Sequence, residues 1–121
     1  MSWTVTNHDD FDAEFDALPE AVQDELLAFA VLLAVYGPQL GRPHADTLSG
    51  SRHANMKELR FKADDGVWRV AFAFDPERQA IVLVAGDKSG VAQKRFYKSL
   101  IATADKRFDE HLAALAVKKE K

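Results

Sequence analysis

The most regular pattern in the chain is a strict alternation of bulky and small residues along VWRVAFAFD, residues 67–75. From Trp68 to Phe74 every second residue is large and apolar, and the residues between them are Arg69 and two alanines. Strand side chains point to opposite faces with a period of two, so this segment is predicted to be a strand with a bulky core face. Its other face carries a single arginine with space around it, which raises the question of what Arg69 does.

Three further segments have the composition of strands. SWTVT (2–6) is short and β-branched, MKELRFK (56–62) alternates, and AIVLVAGD (80–87) is almost wholly apolar, as expected of a strand covered on both faces. ADDG (63–66) and DPERQ (75–79) are typical of hairpin turns. The last three strands are therefore predicted to form a meander.

Two helices are predicted after the first strand. Asn7, Asp9 or Asp10 can cap the first helix. Pro19 suits the first turn of the second helix, and Gly37 would end it, with one kinked helix as the alternative. The second helix is apolar nearly all round in its later part, which indicates burial on two sides or a surface for a partner.

A Gly- and Pro-rich loop is predicted over residues 37–55, and apolar residues from Phe96 to Leu115 fit one stripe of a long C-terminal helix. The predicted fold class is α+β, with an N-terminal strand and two helices packed on a mainly antiparallel four-stranded sheet, followed by a C-terminal helix. The helices are expected to lie on one face of the sheet and to leave the other face uncovered. Residues 1–121 are expected to form one domain whose tail, residues 118–121, is frayed.

The amino-acid composition excludes several kinds of functional site. The 121 residues include no cysteine, which excludes disulfides, thiol nucleophiles and cysteine metal ligands. The longest apolar run, residues 26–35, is about half as long as a membrane span, and the N-terminus lacks the pattern of a secretory signal. A cytoplasmic protein with no membrane partner is expected.

Charge is distributed unevenly along the chain. Residues 1–50 hold nine acidic residues and one basic residue, whereas residues 51–108 hold twelve basic and seven acidic residues, although the formal net charge is -3. Such asymmetry is a hint of a surface that binds a polyanion. The alternative is that each set of charges only solvates its own side of the domain.

The second face of the central strand gathers the candidate residues. If the aromatic face packs on the helices, Glu58, Arg60 and Arg69 share the other face, within reach across adjacent antiparallel strands. Lys88 follows the next strand. The start of the last helix adds Lys94, Arg95, Tyr97 and Lys98. Cations, one carboxylate and one phenol can hold a phosphodiester and stabilise the charge of phosphoryl transfer. The alternative is that these residues have only structural roles. The glutamate and an arginine would then form a cross-strand ion pair, the tyrosine ring would pack under the sheet, and the lysines would be solvated.

Four motifs carry a resemblance to a known family. KELRF, RVAFAFDP, GDKSG and a late AD…DEHL occur in this order between Leu40 and Leu112. In these motifs the chain resembles HigB-like toxins of the RelE/ParE superfamily, and more narrowly their phage-derived branch. The resemblance implies a RelE-like fold and the toxin of a bacterial toxin–antitoxin system.

The activity implied by the resemblance is that of a metal-independent endoribonuclease without a cofactor, an mRNA interferase that cuts mRNA in the A site of the 70S ribosome. In that reaction a 2′-hydroxyl attacks the adjacent phosphate and leaves a 2′,3′-cyclic phosphate. The implied inhibitor is a cognate antitoxin with a helix-turn-helix domain, and the toxin would meet DNA only through the antitoxin complex.

The resemblance also suggests roles for individual residues. Arg69 matches the strand arginine of the family and would stabilise the pentavalent phosphate, with Lys88 and Arg60 as further phosphate-binding cations. Tyr97 lies near the place of an aromatic residue that stacks on or orients an mRNA base, and Phe96 is the alternative occupant of that place.

Two alternatives stand for the general base. Glu58 is the only carboxylate on the expected face, whereas Lys57 or Lys88 would need a lowered pKa. The chain has Met56 and Glu58 where the ribosome-dependent archetype has two basic residues. Further candidates for RNA binding are Lys57, Lys94, Arg95, Lys98 and His53.

Two other functions remain alternatives. One is a non-enzymatic toxin of the ParE kind, which poisons DNA gyrase, and the other is an inactive prophage remnant that only binds an antitoxin. No metal site is expected, because no two of the four histidines have ligand spacing on one element.

Overall fold

The computed structural model describes residues 2–119 of the chain. Its strands are β1 (Thr4–Asn7), β2 (Ala45–Thr47), β3 (Met56–Ala63), β4 (Gly66–Phe74) and β5 (Gln79–Asp87). Its helices are α1 (Asp9–Asp16), α2 (Glu20–Tyr36) and α3 (Gln93–Lys119), and a 3₁₀ turn covers Gly37–Gln39. Of the tail predicted to fray, residues 118 and 119 belong to α3, whereas residues 120–121 lie outside the described residues.

The strands form one sheet in the order β1-β5-β4-β3-β2, in which β1 is parallel to β5 and the other pairs are antiparallel. The predicted α+β fold with a mainly antiparallel sheet is therefore confirmed. The sheet has five strands where four were predicted, because residues 45–47, predicted as loop, pair with residues 57–59 of β3. Three residues are too few to show an alternating pattern.

The two N-terminal helices are separate, as predicted, and Pro19 is the N-cap of α2. His8 caps α1 instead of the three residues predicted for this role, because its Nδ1 accepts the backbone N–H of Asp10 at 3.1 Å. α2 ends at Gly37, whose φ of 55° suits glycine. A Cβ at Gly37 would lie 2.3 Å from Nε1 of Trp3, so the glycine also lets the N-terminal strand approach the helix.

α1 and α2 pack on the aromatic face of β4, as predicted. One core contains Phe11, Phe29, Leu33, Trp68 and Phe72. Removing these large apolar side chains from water stabilises this layer of the fold.

α3 covers the second face of the sheet, which was predicted to be bare. Ala71 and Ala73 are fully buried in a second core together with Phe96 and Phe108 of α3. The prediction that the helices lie on one face is wrong, because the alanines leave room for a whole helix and not only for Arg69. The open part of this face lies beside the start of α3.

One side of α2 is buried and the other side is apolar and exposed. The buried side carries Val22, Leu26, Phe29 and Leu33. The exposed side carries Leu27, Val31, Val35 and Tyr36, each more than half exposed. By length and composition alone, residues 20–39 could cross a membrane, with a mean hydropathy of 1.3. The buried side belongs to the core between α2 and the sheet, but only 28% of this apolar stretch is buried.

Candidate active site

The predicted cluster forms where β3, β4 and the start of α3 meet. The Cα atoms of Arg60 and Arg69 are direct partners across the β3–β4 pair. Two arginines placed opposite each other repel, so this pair needs an anion close by. Glu58 lies two residues before Arg60 on the same face of β3, and its carboxylate provides that anion.

Glu58 is the centre of the cluster. Its Oε2 accepts a hydrogen bond from Nη1 of Arg60 at 2.8 Å, and its Oε1 accepts one from the Tyr97 hydroxyl at 2.9 Å. Nε of Arg69 lies 3.8 Å from Oε1. Only 4% of Glu58 is exposed, and a carboxylate so buried is stable only when it is paired and hydrogen-bonded. The residues predicted to form a phosphate-binding cluster therefore also form the ion pair that was the alternative prediction.

Arg69 is held from two sides. Its Nε donates to the Tyr97 hydroxyl at 3.1 Å, and its Nη1 donates to the backbone carbonyl of Trp68 at 2.9 Å. A guanidinium has five N–H donors, so these two bonds orient the group and leave donors for an anion. The arginine is a fixed cation under the start of α3.

Tyr97, and not Phe96, is the aromatic residue of the cluster. Phe96 packs on the backbone at Gly86, where a Cβ would lie 2.9 Å from the phenylalanine ring, so only glycine allows this approach. With Phe96 turned into the core, its neighbour Tyr97 reaches Glu58 and Arg69. Burial first, and then the hydrogen bond to Glu58, raise the pKa of Tyr97. The phenol therefore keeps its proton at neutral pH.

Lys88 completes the cluster from the end of β5. Its Nζ lies 6.0 Å from the centroid of the Tyr97 ring. Burial lowers the pKa of Lys88, and repulsion by Arg69 and Arg60 lowers it further, against the opposing attraction of Glu58. Its ammonium is therefore a readier proton donor than that of an ordinary lysine.

The GDKSG motif is a turn that holds Lys88 in place. Oδ1 of Asp87 accepts the backbone N–H of Ser89 at 2.9 Å and that of Val67 at 3.0 Å. The Ser89 hydroxyl also donates to Oδ1 of Asp87, and this side-chain hydrogen bond lowers the pKa of Asp87, so the carboxylate stays charged. The backbone N–H of Lys88 also donates to the carbonyl of Val67, at 2.8 Å.

A groove of about 610 Å³ opens beside the cluster. Glu58, Arg60 and Tyr97 are among the residues that line it. Its volume lies within the range that small-ligand sites commonly have. Lys94, a predicted RNA-binding residue, also lines this groove.

The other predicted RNA-binding residues lie elsewhere. Lys57 lies on the opposite face of β3 from Glu58, as the strand period requires. Nε2 of His53 donates a hydrogen bond to the Asp109 carboxylate at 2.8 Å, and the His53 ring packs edge-on against the Phe108 ring. Arg95 lines a separate groove between β5 and α3, and Lys98 is exposed on α3. The structure does not bring these four residues to the cluster.

Sequence reasoning missed the residues that tie the loop before β3 to α3. Ser51 and the backbone N–H of Arg52 both donate to the carboxylate of Asp105, which is buried. Arg52 also pairs with Asp109. A buried aspartate within the late AD…DEHL motif was the available signal, since such a group needs donors from another part of the chain.

Three potential metal ligands, His8, Asp10 and Glu110, have side-chain atoms within 4.8 Å of one another. Nδ1 of His8 accepts the backbone N–H of Asp10, so the proton of the neutral imidazole lies on Nε2, which faces Glu110 at 3.2 Å. That proton occupies the position from which a metal would be bound. Helix capping and a hydrogen bond to Glu110 account for this cluster.

Comparison with known proteins places the chain in a family. The family model described as "Phage derived protein Gp49-like" matches residues 13–109. The chain belongs to this family. It is 41% identical over 114 residues to "Putative toxin HigB2" of Mycobacterium tuberculosis, an alignment that covers 93% of this chain and 56% of that protein. It is 49% identical over 83 residues to "Putative toxin HigB3" of the same organism, covering 69% of this chain and 70% of that one.

Among solved structures, the free state of a doubly mutated E. coli toxin RelE has the same fold, with a TM-score of 0.56 at 16% identity over 84% of this chain and 96% of that chain. The predicted membership among phage-derived, HigB-like chains is confirmed, and the likeness to RelE confirms the predicted RelE-like fold. The chain spans a little over half of the length of HigB2.

Proposed function

We propose that the chain is the toxin of a type II toxin–antitoxin system and acts as a ribosome-dependent mRNA interferase. The observation that carries this proposal is the cluster of Arg60, Arg69 and Lys88 around Glu58 and Tyr97, beside an open groove. The names of the HigB relatives support the part of this proposal that makes the chain a toxin.

Arg60 and Arg69 would bind the scissile phosphate. Both guanidinium groups are positioned before substrate arrives, one by Glu58 and the other by Tyr97 and a backbone carbonyl. Donors fixed in advance stabilise the charge that develops on a pentavalent phosphate without reorganising during the reaction. Side chains supply these cations, which agrees with a metal-independent reaction.

Glu58 and Lys88 would transfer the protons. Glu58 accepts the proton of the 2′-hydroxyl, whose oxygen attacks the adjacent phosphorus, and Lys88 protonates the 5′-oxygen as its bond to phosphorus breaks. The products are a 2′,3′-cyclic phosphate and a 5′-hydroxyl. Each carboxylate oxygen of Glu58 can accept more than one hydrogen bond, so Arg60 and Tyr97 leave room for the 2′-hydroxyl. Glu58 is assigned as the general base in preference to Lys57, because Lys57 lies on the other face of β3.

The proposed partners are the mRNA, the 70S ribosome and a cognate antitoxin with a helix-turn-helix domain, through which the complex would contact DNA. The ribosome would align the attacking oxygen with the scissile bond, and alignment of this kind accounts for a large part of many rate enhancements. Because translation takes place in the cytoplasm, this function places the chain there.

The test combines growth arrest with primer extension on a reporter mRNA, for the wild type and the Glu58→Gln variant. Wild-type expression is expected to give cuts at in-frame positions, and Glu58→Gln is expected to remove them because an amide cannot accept the proton. Glu77→Gln makes the same change at an exposed turn and should leave the cuts intact. Arrest without cuts, unchanged by Glu58→Gln, would contradict the proposal and favour a gyrase poison of the ParE kind.

A further inference from the structure

One face of α3 contacts β3 and the loop before it at three successive turns of the helix. Tyr97, Ile101 and Asp105 are spaced four residues apart, so their side chains lie on the same face. The Tyr97 hydroxyl donates to Glu58 at 2.9 Å. One turn further on, a Cβ at Gly50 would lie 3.3 Å from Cδ1 of Ile101. The loop that joins β2 to β3 therefore lies along the same face of α3 as the reaction cluster.

Asp105 is the polar anchor of this face. Only 5% of the residue is exposed. Its Oδ1 accepts the hydroxyl of Ser51, and its Oδ2 accepts the backbone N–H of Arg52 at 3.2 Å. The Ser51 oxygen in turn accepts the backbone N–H of His53 at 3.0 Å. A buried carboxylate is costly without such donors, so these bonds hold the loop on α3.

The same loop leads directly into the strand that carries the proposed base. The backbone N–H of Met56, the first residue of β3, donates to the carbonyl of His53 at 3.1 Å. The carbonyl of Met56 accepts the N–H of Leu48 at 3.0 Å. Hydrogen bonds therefore run without a gap from Asp105 through the loop to the start of β3, two residues before Glu58.

α3 is thus bonded to this part of the chain at two points, Asp105 and Tyr97. The apolar contacts of α3 hold the helix on the sheet, but they have no preferred direction. Hydrogen bonds weaken steeply outside a narrow range of distance and angle. Because a misplacement of about 1 Å can slow a reaction about hundredfold, an anchor that fixes α3 also affects the chemistry at its other end.

We propose that Asp105 is a positioning residue for the reaction, which keeps the Tyr97 hydroxyl on Glu58 by anchoring α3 to the loop before β3. The inference rests on the proposed function, because it takes Glu58 to be the base. Asp105 acts through Tyr97 and not by touching the substrate. Loss of the anchor therefore slows the chemical step and leaves the binding of the phosphate at the arginines in place.

A double-mutant cycle tests this role in single-turnover cleavage of ribosome-bound mRNA at several toxin concentrations. Ser51→Ala removes one donor to Asp105 and keeps the N–H of Arg52 there, so this variant should fold. It is expected to lower the maximal rate about tenfold and to leave the half-saturating concentration unchanged. Tyr97→Phe should lower the rate at least as much. The double variant should cut as fast as Tyr97→Phe alone, because both changes remove the same contact.

A second measurement needs no RNA. Burial and the hydrogen bond to Glu58 raise the pKa of Tyr97. The chain has two tyrosines, and Tyr36→Phe, at an exposed position of α2, removes the signal of the other one. In this background, an ultraviolet titration should show that Ser51→Ala lowers the pKa of Tyr97 toward 10.0, the ordinary value, because the phenol is less tightly held.

Ser99→Ala makes the same change at an exposed position of α3 and should alter neither measurement. The inference is overturned if Ser51→Ala leaves the rate or the titration unchanged, or if it slows the wild type and Tyr97→Phe by the same factor. Intact ribosome-bound mRNA with the wild type would overturn the proposed function instead. The titration would then test by itself whether the anchor at Asp105 positions Tyr97.

Discussion

At the scale of single residues, the cluster depends on one buried carboxylate. Glu58 neutralises two arginines that the sheet register places opposite each other, and it also accepts the hydroxyl of Tyr97. Removing one partner of such a buried pair usually costs several kcal/mol, because the remaining charge is left without compensation. The same carboxylate therefore supports the local fold and is the proposed base.

The lowered pKa of Lys88 gives a prediction about pH. If its ammonium protonates the leaving oxygen, the cleavage rate must fall as the pH rises through that lowered pKa, so the alkaline limb should begin below 10.5, the ordinary value for lysine. Lys88→Arg keeps the positive charge but holds its proton, so it should cut slowly and lack this limb. Single-turnover cleavage of ribosome-bound mRNA across a pH series measures both effects.

The control for Lys88→Arg is Lys62→Arg, at an exposed position of β3. This variant should keep the alkaline limb of the wild type. An unchanged limb in Lys88→Arg would show that Lys88 only binds phosphate.

Part of this cluster could be predicted from the sequence. The period of two in a strand places Glu58, Arg60 and Arg69 on one face, and the structure shows them there. The contact of Tyr97 with Glu58 could not be derived, because it depends on the path of α3 across the sheet. Phe96 and Tyr97 could be distinguished only once the close approach of Phe96 to Gly86 was known.

At the scale of elements, the least predictable features are those that depend on contacts distant in sequence. β2 has only three residues and pairs with β3, so its own pattern does not identify it as a strand. α3 covers the alanine face of β4, although the same alanines are equally consistent with an open face around Arg69. Local patterns predict an element and its buried side better than they predict its partner.

The covered alanine face gives a prediction about stability. Ala73 is fully buried against α3, so Ala73→Leu adds volume to a packed layer and should lower the free energy of unfolding by about 1–3 kcal/mol. Ala113→Leu makes the same change at an exposed position of α3 and should alter it by about 0.5 kcal/mol or less. Urea denaturation of both variants provides the measurement. Equal values for the two variants would mean that α3 does not cover this face.

At the scale of the whole molecule, α1 and α3 lie on opposite faces of the sheet and are joined around its edge. Arg107 of α3 donates to both carboxylate oxygens of Glu14 in α1 and to the backbone carbonyl of Leu83 in β5. One arginine thus links the two helical layers to the strand between them. The acidic first half of the chain and the basic later part meet in this contact.

The ion pair between Arg107 and Glu14 predicts how the stability of the fold depends on pH. The hydrogen bond from Arg107 lowers the pKa of Glu14 below 4.5, so the carboxylate stabilises the fold above that value and loses its contribution as the pH falls through the lowered pKa. The difference in free energy of unfolding between the wild type and Glu14→Gln should be full at neutral pH and shrink below pH 4.5. Glu25→Gln, at an exposed position of α2, is the control. A difference that does not vary with pH would contradict the role of this pair.

The most direct test of the central claim is cleavage of one defined mRNA by the purified chain, with and without 70S ribosomes, followed by analysis of the new RNA ends. We predict cuts only in ribosome-bound mRNA, with 2′,3′-cyclic phosphate and 5′-hydroxyl ends, and their loss in Glu58→Gln. Intact ribosome-bound mRNA with the wild type, or the same cuts made by Glu58→Gln, would contradict the assignment of this cluster as a ribonuclease site.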